Sequence, residues 1–272
     1  MVHAGAVGED LGFGGEVAGF YHRYRRGYPP AVIDTLTRAF SLASDDIVID
    51  LGCGTGQLTL PIARRVHAVA GVDPEPDMLV RARQAAADLG VGNATWILGA
   101  DTDIPALGAL LCDRRAGAVT VGQALHWMRY RELIPGLIPL LRPGGGLAVL
   151  TNGTPLWLQD TPWSRALRGA LGDWLGATAT GTTGTDDASQ QHYRDTMSEA
   201  GLDVTEARHD YTEELDFDHI IGGIYSALAA QRLPPPDQRA AFAAQIHRAV
   251  APHAPFTEHV PVRMLLGRRP SR

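Results

Sequence analysis

The segment that most constrains the fold is residues 48–57, where an apolar run leads straight into a glycine-rich turn (VIDLGCGTGQ). An apolar run of this length with one acid, Asp50, is typical of a buried strand. Gly52, Gly54 and Gly56 permit a tight turn and a close approach of the backbone to a ligand. The helix that follows such a turn offers free backbone N–H groups. The segment therefore predicts a strand, a ligand-binding turn and a helix in succession.

The glycine spacing distinguishes between two kinds of nucleotide site. A dinucleotide fingerprint has the pattern G-x-G-x-x-G, and its third glycine would fall at position 57, where this chain has Gln57. The acid Asp50 precedes the turn, and an acid suits a ligand with a cationic amino group better than a pyrophosphate. A plain glycine-rich turn between a strand and a helix, without a ligand, is the alternative.

Apolar runs alternate with helical periods along the first half of the chain. The predicted strands are residues 47–51, 68–73, 95–99, 118–121 and 147–152, and the predicted helices are residues 57–66, 75–89 and 131–141. This alternation is typical of βαβ units and predicts a parallel sheet covered on both faces. The second half is less regular, with predicted helices at residues 161–176, 190–200, 218–231 and 236–250 and predicted strands at residues 204–211 and 260–267.

Composition excludes several other classes. All 24 basic residues are Arg, so mechanisms that need a Schiff-base or P-loop lysine are excluded. The net charge of −6 argues against a dedicated nucleic-acid binder. Two cysteines, the lack of a long apolar run and an acidic first segment predict a cytoplasmic protein. Histidine and carboxylate spacings predict no metal site.

Two further acids follow predicted strands at informative distances. Asp73 ends the second strand, 21 residues after Gly52, and an acid there suits ribose hydroxyls. Asp101 follows the third strand, where its carboxylate could accept a hydrogen bond from an adenine amino group. Each acid could also be an ordinary surface carboxylate.

Taken together, VIDLGCGTGQLTLPIA, GVDPEPDML, GADTDIP and LRPGGGLAVL resemble the successive motifs of class I S-adenosylmethionine (SAM)-dependent methyltransferases. FYHRYRRGYP, GQALHWM and IIGGIYSAL resemble more weakly the small-molecule branch, which includes trans-aconitate methyltransferase-like and natural-product enzymes. The resemblance implies an α/β fold: a Rossmann-like, doubly wound, seven-stranded sheet with an antiparallel last strand. It also implies a helical cap formed by the N-terminus and insertions.

The same resemblance implies the residues that bind SAM. Arg25 would contact its carboxylate, Asp73 its ribose and Asp101 the adenine edge, while Gln123 and Trp127 would line the sulfonium end. The full set implied for the cofactor is Tyr21, Arg25, Asp50, Gly52, Gly54, Gly56, Asp73, Pro74, Met78, Ala100, Asp101, Gln123 and Trp127.

One histidine and five other side chains are the candidates for the acceptor end. His126 follows the fourth strand and could remove a proton from the acceptor, or it could only shape the pocket. The candidates for acceptor contact are Tyr24, His22, Trp157, Trp163 and Tyr225. A small core beneath the cap is the alternative role for these aromatics.

The sequence predicts a single methyltransferase domain over residues 1–272. Its parts are an N-terminal lid (1–30), a cofactor-binding core (47–152) and two cap segments (153–190 and 212–255). We expect methyl transfer from SAM, with release of S-adenosylhomocysteine (SAH), to a small acceptor, a specialised metabolite of the kind found in antibiotic biosynthesis. O-methylation is favoured over N- or C-methylation.

The alternatives are an RNA or protein methyltransferase and a SAM-binding cyclase that transfers no methyl group. We expect neither nucleic acid nor membrane as a partner, and a monomer or a homodimer.

Overall fold

The computed structural model describes residues 12–111, 115–177 and 181–271. The first eleven residues of the predicted lid, Cys112 and residues 178–180 lie outside these ranges.

A seven-stranded sheet forms the centre of the molecule. Its strands are β1 (Ile47–Leu51), β2 (Ala68–Asp73), β3 (Ala94–Leu98), β4 (Ala116–Gly122), β5 (Leu141–Asn152), β6 (Asp203–Leu215) and β7 (Phe256–Arg268). Their order is β3-β2-β1-β4-β5-β7-β6. Strands β1 to β5 pair in parallel, while β7 is antiparallel to both of its neighbours. The predicted doubly wound sheet with an antiparallel last strand is confirmed.

Ten α-helices lie in the described part of the chain. They are α1 (Glu16–Tyr24), α2 (Pro30–Ala39), α3 (Thr59–Ala63), α4 (Pro76–Asp88), α5 (Ile104–Leu110), α6 (Tyr130–Leu137), α7 (Pro162–Leu175), α8 (Asp187–Glu199), α9 (Phe217–Tyr225) and α10 (Arg239–Val250).

Two apolar layers cover the sheet because alternate strand residues face opposite sides. Val48 packs with α2 and α3 on one face, whereas Ile49 packs with α5, α6 and α8 on the other. Both residues are almost fully buried, as expected for a parallel sheet covered on both faces. Because β1 to β4 are parallel, their carboxyl ends lie along the same edge of the sheet. The strand order reverses between β1 and β4, and ligands bind at such a point in folds of this kind.

Several element boundaries differ from those predicted from the sequence. Strand β5 begins at Leu141 rather than at residue 147, because a register shift against β4 lets it continue through the glycine run that resembles a turn. The helix predicted over residues 218–231 ends at Tyr225. A short 3-10 turn at Ala230–Arg232 follows that helix end.

Helices α7, α9 and α10 form a cap with its own apolar core, which includes Trp163, Ile224 and Phe242. Helix α1 packs against α9, so the N-terminal segment joins this cap. Helix α8 packs instead on the sheet, so the end of the predicted cap segment 153–190 belongs to the core. Within the described ranges, no helix has the length and apolar character needed to cross a membrane.

Candidate active site between the sheet edge and the cap

A cavity of about 450 Å³ lies between the sheet edge and the cap. Its wall contains every predicted cofactor residue except Gly56. Gly56 has φ +91° and its N–H donates to the Cys53 carbonyl oxygen. It therefore shapes the turn without facing the cavity, which corrects the contact predicted for it.

The glycine turn is fixed to the neighbouring strand. The backbone N–H groups of Gly52 and Cys53 both donate to the Val72 carbonyl oxygen. Gly52 and Gly54 have φ values of +66° and +54°, a backbone conformation that glycine adopts at little cost. The turn is therefore held open at the end of β1 by contacts with β2.

Asp73 is oriented by two backbone donors at the end of β2. Gly54 N–H donates to its Oδ2 at 2.8 Å and Glu75 N–H donates to its Oδ1 at 3.0 Å. Burial raises the pKa of Asp73 to about 6 despite these hydrogen bonds. Each oxygen keeps a further lone pair, so the carboxylate is set to accept from a pair of hydroxyls.

Asp50 has a second role that the sequence did not indicate. The Thr120 hydroxyl donates to its Oδ1 at 2.6 Å, and the Thr59 hydroxyl donates to its Oδ2 at 2.5 Å. Burial raises the pKa of Asp50 to about 6. The carboxylate thus ties β1 to β4 and α3 while lining the cavity.

The lid brings a cation without a carboxylate partner to the cavity. The Arg25 guanidinium carbon lies 5.3 Å from the centroid of the Tyr21 ring. Arg25 Nη2 reaches only the Ser226 carbonyl oxygen, at 3.5 Å, and its Nε is buried without a hydrogen-bond partner. Burial lowers the pKa of Arg25. No described carboxylate lies within 4 Å of its nitrogens, so a ligand anion would satisfy this partly buried charge.

The loop after β4 presents Gln123, His126 and Trp127 to the cavity. Gln123 Nε2 donates to the Asn152 carbonyl oxygen at 3.1 Å, which leaves its Oε1 buried without a partner. Burial, with a smaller contribution from the charge of Arg25, lowers the pKa of His126 to about 4. The imidazole is therefore neutral at pH 7, but it is a weak base.

The residues predicted for adenine also line the cavity. Met78 is buried on α4, and Pro74 and Ala100 also line the wall. Asp101 Oδ2 already accepts from the Arg129 backbone N–H at 2.8 Å. A further donor would therefore share this carboxylate with the backbone of residue 129.

The acceptor candidates fall into two groups. Tyr24 and Trp157 line the cavity, and Trp157 Nε1 is buried without a partner. The structure does not bring His22, Trp163 or Tyr225 to the cavity, which corrects the acceptor contact predicted for each.

The other three have different surroundings. His22 is exposed on α1. Trp163 Nε1 donates to the Thr257 carbonyl oxygen at 2.9 Å. Tyr225 stacks on Phe242 with a centroid distance of 5.7 Å. Both rings thus belong to the cap core, the alternative considered for these aromatics.

Tyr28 and Asn152 are among the cavity residues that were not identified from the sequence. Asn152 ends β5, and its position directly after a predicted buried strand was a usable signal. Tyr28 lies between two helices in the sequence, where no periodic pattern marks its direction. Among the described residues, no cluster of three potential metal ligands is present.

Comparison with known proteins agrees with this geometry. Residues 48–145 match the family model described as "Methyltransferase domain". An uncharacterized methyltransferase of Mycobacterium tuberculosis is 39% identical over 142 residues, 52% of each chain. An uncharacterized methyltransferase of Schizosaccharomyces pombe is 28% identical over 146 residues, 53% of this chain and 52% of that protein. Residues 48–145 are therefore similar to methyltransferase domains.

The chain spans about half the length of the curated relatives it matches. Solved structures share the fold at low sequence identity. The YcgJ protein from Bacillus subtilis superposes with a TM-score of 0.55 at 15% identity, over 88% of this chain and 98% of that one. The [4+2]-cyclase SpnF superposes with a TM-score of 0.51 at 17% identity, over 89% of this chain and 81% of that one.

Proposed function

We propose that this protein transfers a methyl group from SAM to a small-molecule acceptor. One observation carries the proposal. A single cavity connects the glycine turn and Asp73, which suit the cofactor, with Tyr24 and Trp157 of the lid and cap, which suit an apolar or aromatic acceptor.

The donor and acceptor groups in the cavity wall fit SAM. Asp73 would bind the ribose hydroxyls, and Arg25 would pair with the methionyl carboxylate. The unpartnered side-chain oxygens of Gln123 and Asn152 would accept from the methionyl ammonium group. When bound, SAM supplies a methyl group activated by the sulfonium.

The residues of the chain have three tasks in this reaction. They align the acceptor with the methyl group, exclude water from the cavity, and hold the acceptor's reactive atom. The lid and cap enclose the cavity, with Phe13 of the lid 5.9 Å from the Trp127 ring. Neutral His126 would accept a hydrogen bond from an acceptor hydroxyl rather than bind its proton tightly, because its pKa is lowered to about 4.

We favour O-methylation of a specialised metabolite, as in antibiotic biosynthesis, because the enclosed wall combines aromatic surface with hydrogen-bond acceptors. N- and C-methylation are the alternative outcomes of the same test. A cytoplasmic location, a monomeric or homodimeric state and the lack of nucleic-acid and membrane partners remain predictions.

Calorimetric titration with SAM and SAH, with NADH as a control, tests the cofactor. We expect micromolar or tighter binding of SAM and SAH and no binding of NADH. Binding of NADH alone, or of none of the three, would contradict the proposal.

Acceptor screening by SAH release then separates the kinds of activity. Release with a small-molecule fraction supports the proposal, and methyl transfer to RNA or protein supports the corresponding alternative. Tight binding of SAM without SAH release from any acceptor would favour a cyclase or a binding protein.

A further inference from the structure

Tyr28 lies in the short segment between α1 and α2. This segment is held in place both before and after Tyr28. On one side, Arg26 Nε lies 3.1 Å from Glu213 and its guanidinium also pairs with Glu258. Next to Tyr28, the Gly27 carbonyl oxygen accepts from Asn152 Nδ2 at 3.0 Å, and α2 begins two residues after Tyr28. The position of the tyrosine is therefore fixed before a ligand binds.

The phenol group lies against the end of β4. A Cβ atom added to Gly122 would lie 2.6 Å from Tyr28 Oη and 3.2 Å from a methyl carbon of Leu58. Only glycine leaves room for the hydroxyl at this point. Asp50, at the end of β1, also acts electrostatically on the phenol. Tyr28 Oη thus lies near the ends of the two central strands.

The hydroxyl is available to a ligand. Tyr28 lines the cavity, and none of the described residues forms a hydrogen bond with its hydroxyl. Burial, reinforced by Tyr21 and Asp50, raises the pKa of Tyr28 well above its usual value. The phenol stays protonated and neutral at physiological pH, so it cannot act as a base.

The order of the cofactor residues along the sheet edge locates the sulfonium. The adenine residues Met78 and Asp101 lie by β2 and β3, and Asp73 ends β2. A ligand with its ribose at Asp73 and its methionyl end at Arg25 and Gln123 would pass the end of β1 and reach the end of β4. The part beyond the ribose is the sulfonium, which therefore reaches the strand ends where Tyr28 Oη lies.

On the basis of the proposed function, we propose that Tyr28 is a catalytic residue whose hydroxyl oxygen contacts the sulfonium methyl group of SAM. A neighbouring positive sulfur polarises the methyl C–H bonds, which makes them weak hydrogen-bond donors to a neutral oxygen. This contact holds the methyl group on the line of transfer. SAH has neither the methyl group nor the positive charge, so the contact favours SAM alone.

The variant Tyr28→Phe removes one oxygen and keeps the ring. Calorimetry with SAM and with SAH on the full chain measures its effect without an acceptor. We expect the Kd of SAM to rise about two- to fivefold, as for loss of one weak hydrogen bond, with the Kd of SAH unchanged within the error of the titration. Tyr211→Phe is the matched control, because Tyr211 is a partly buried phenol outside the cavity wall. It should change neither Kd.

If Tyr28→Phe changes neither the Kd of SAM nor the Kd of SAH, the inference is overturned. Equal weakening of SAM and SAH also overturns it, since the oxygen would then contact a part that both ligands share. Both results leave the proposed function standing. If wild-type protein binds neither ligand, the proposed function fails as well. Retained far-UV circular dichroism and melting temperature show that the variants are folded.

Discussion

At the scale of single residues, the site depends on buried carboxylates that already accept hydrogen bonds from the protein. Asp73 accepts from two backbone N–H groups, and Asp50 accepts from two threonine hydroxyls. These bonds orient each carboxylate before a ligand arrives. Burial nevertheless disfavours the charged form of each acid, so that both have a pKa of about 6. Their protonation is therefore coupled to ligand binding.

The first prediction concerns Asp73. Its ionised form accepts from ribose hydroxyls, so SAH affinity should be constant above about pH 7 and should decrease by up to about tenfold per pH unit below pH 6. Asp73→Asn should weaken SAH by about a hundredfold or more at pH 8, since hydrogen bonds to a charged group are worth about 1.5–3 kcal/mol each.

Calorimetry from pH 5 to 8 measures both effects, and Asp77→Asn, an acid on the lid side of α4, is the control. A loss of less than about tenfold in Asp73→Asn would show that the ribose assignment is wrong. A flat profile in the wild type would show that the pKa of Asp73 is not raised.

The second prediction concerns His126. Because its pKa is lowered to about 4, the imidazole should show a titration midpoint below pH 5 by NMR. The unfolded chain, with a histidine pKa of about 6.5, binds this proton more readily than the folded chain, so this group contributes less stability as the pH falls from 6.5 toward 4.

Turnover provides an independent measurement for the same residue. His126→Gln retains a hydrogen-bond acceptor and should reduce kcat by less than about tenfold, whereas loss of a general base costs about a hundredfold or more. A larger loss of kcat in His126→Gln would support a general-base role for His126, if the wild type also shows a pH–rate inflection near 6.5 that the variant lacks. His192→Gln, an exposed residue of α8, is the control.

At the scale of secondary-structure elements, the close approach of α1 to α9 forms one wall of the acceptor end. Gly222 lies in α9 against the ring of Tyr24 in α1, and a Cβ there would be 2.2 Å from Tyr24 Cδ2. Tyr24 Oη also donates to Asp218 at 2.9 Å. The glycine therefore sets the distance between lid and cap.

The third prediction concerns this contact. Gly222→Ala should reduce the free energy of unfolding by about 1–3 kcal/mol, the usual cost of overpacking, although alanine favours the helix itself. Gly169→Ala is the matched helical control, because a Cβ at exposed Gly169 in α7 has no atom within 4 Å. It should stabilise by about 0.5–1 kcal/mol. Urea unfolding measures both, and a neutral or stabilising Gly222→Ala would contradict the packing argument.

At the scale of the whole molecule, one buried ion pair connects distant parts of the chain. Glu258 of β7 is fully buried and pairs with Arg26, which follows α1. Gln159, ahead of α7, also donates to Glu258. Lid, insertion and C-terminal strand therefore meet at one carboxylate next to the cavity. Burial raises the pKa of Glu258 even though Arg26 and Gln159 favour its charged form.

The fourth prediction tests this connection. Arg26→Met leaves a buried carboxylate without its cation and should reduce the free energy of unfolding by about 3–5 kcal/mol. The double variant Arg26→Met with Glu258→Leu should recover most of that loss, since neither charge remains. Thermal and urea unfolding measure the cycle. If the double variant loses as much unfolding free energy as the two single variants together, Arg26 and Glu258 do not act as a pair.

An exposed ion pair provides the control. Arg65 and Asp34 are 2.8 Å apart with both side chains largely exposed. Solvent screens such pairs, so Arg65→Met should change the free energy of unfolding by less than about 1 kcal/mol. A loss as large as that in Arg26→Met would mean that burial does not determine the cost.

The sequence by itself predicted the sheet and most of the residues that line the cavity at its edge. These are local properties, because a buried strand, its turn and the acid at its end lie within a few residues of one another. Asp73, Gly54 and Asp101 could therefore be placed from spacing alone.

Only the tertiary structure decided which distant side chains face the cavity. Trp163 and Tyr225 lie in the cap core and Tyr28 reaches β4, since packing between helices sets these directions. The basicity of His126 also depends on burial and on Arg25, which is 101 positions away in the sequence. Desolvation and electrostatic interactions act through space, and spacing along a sequence does not report them.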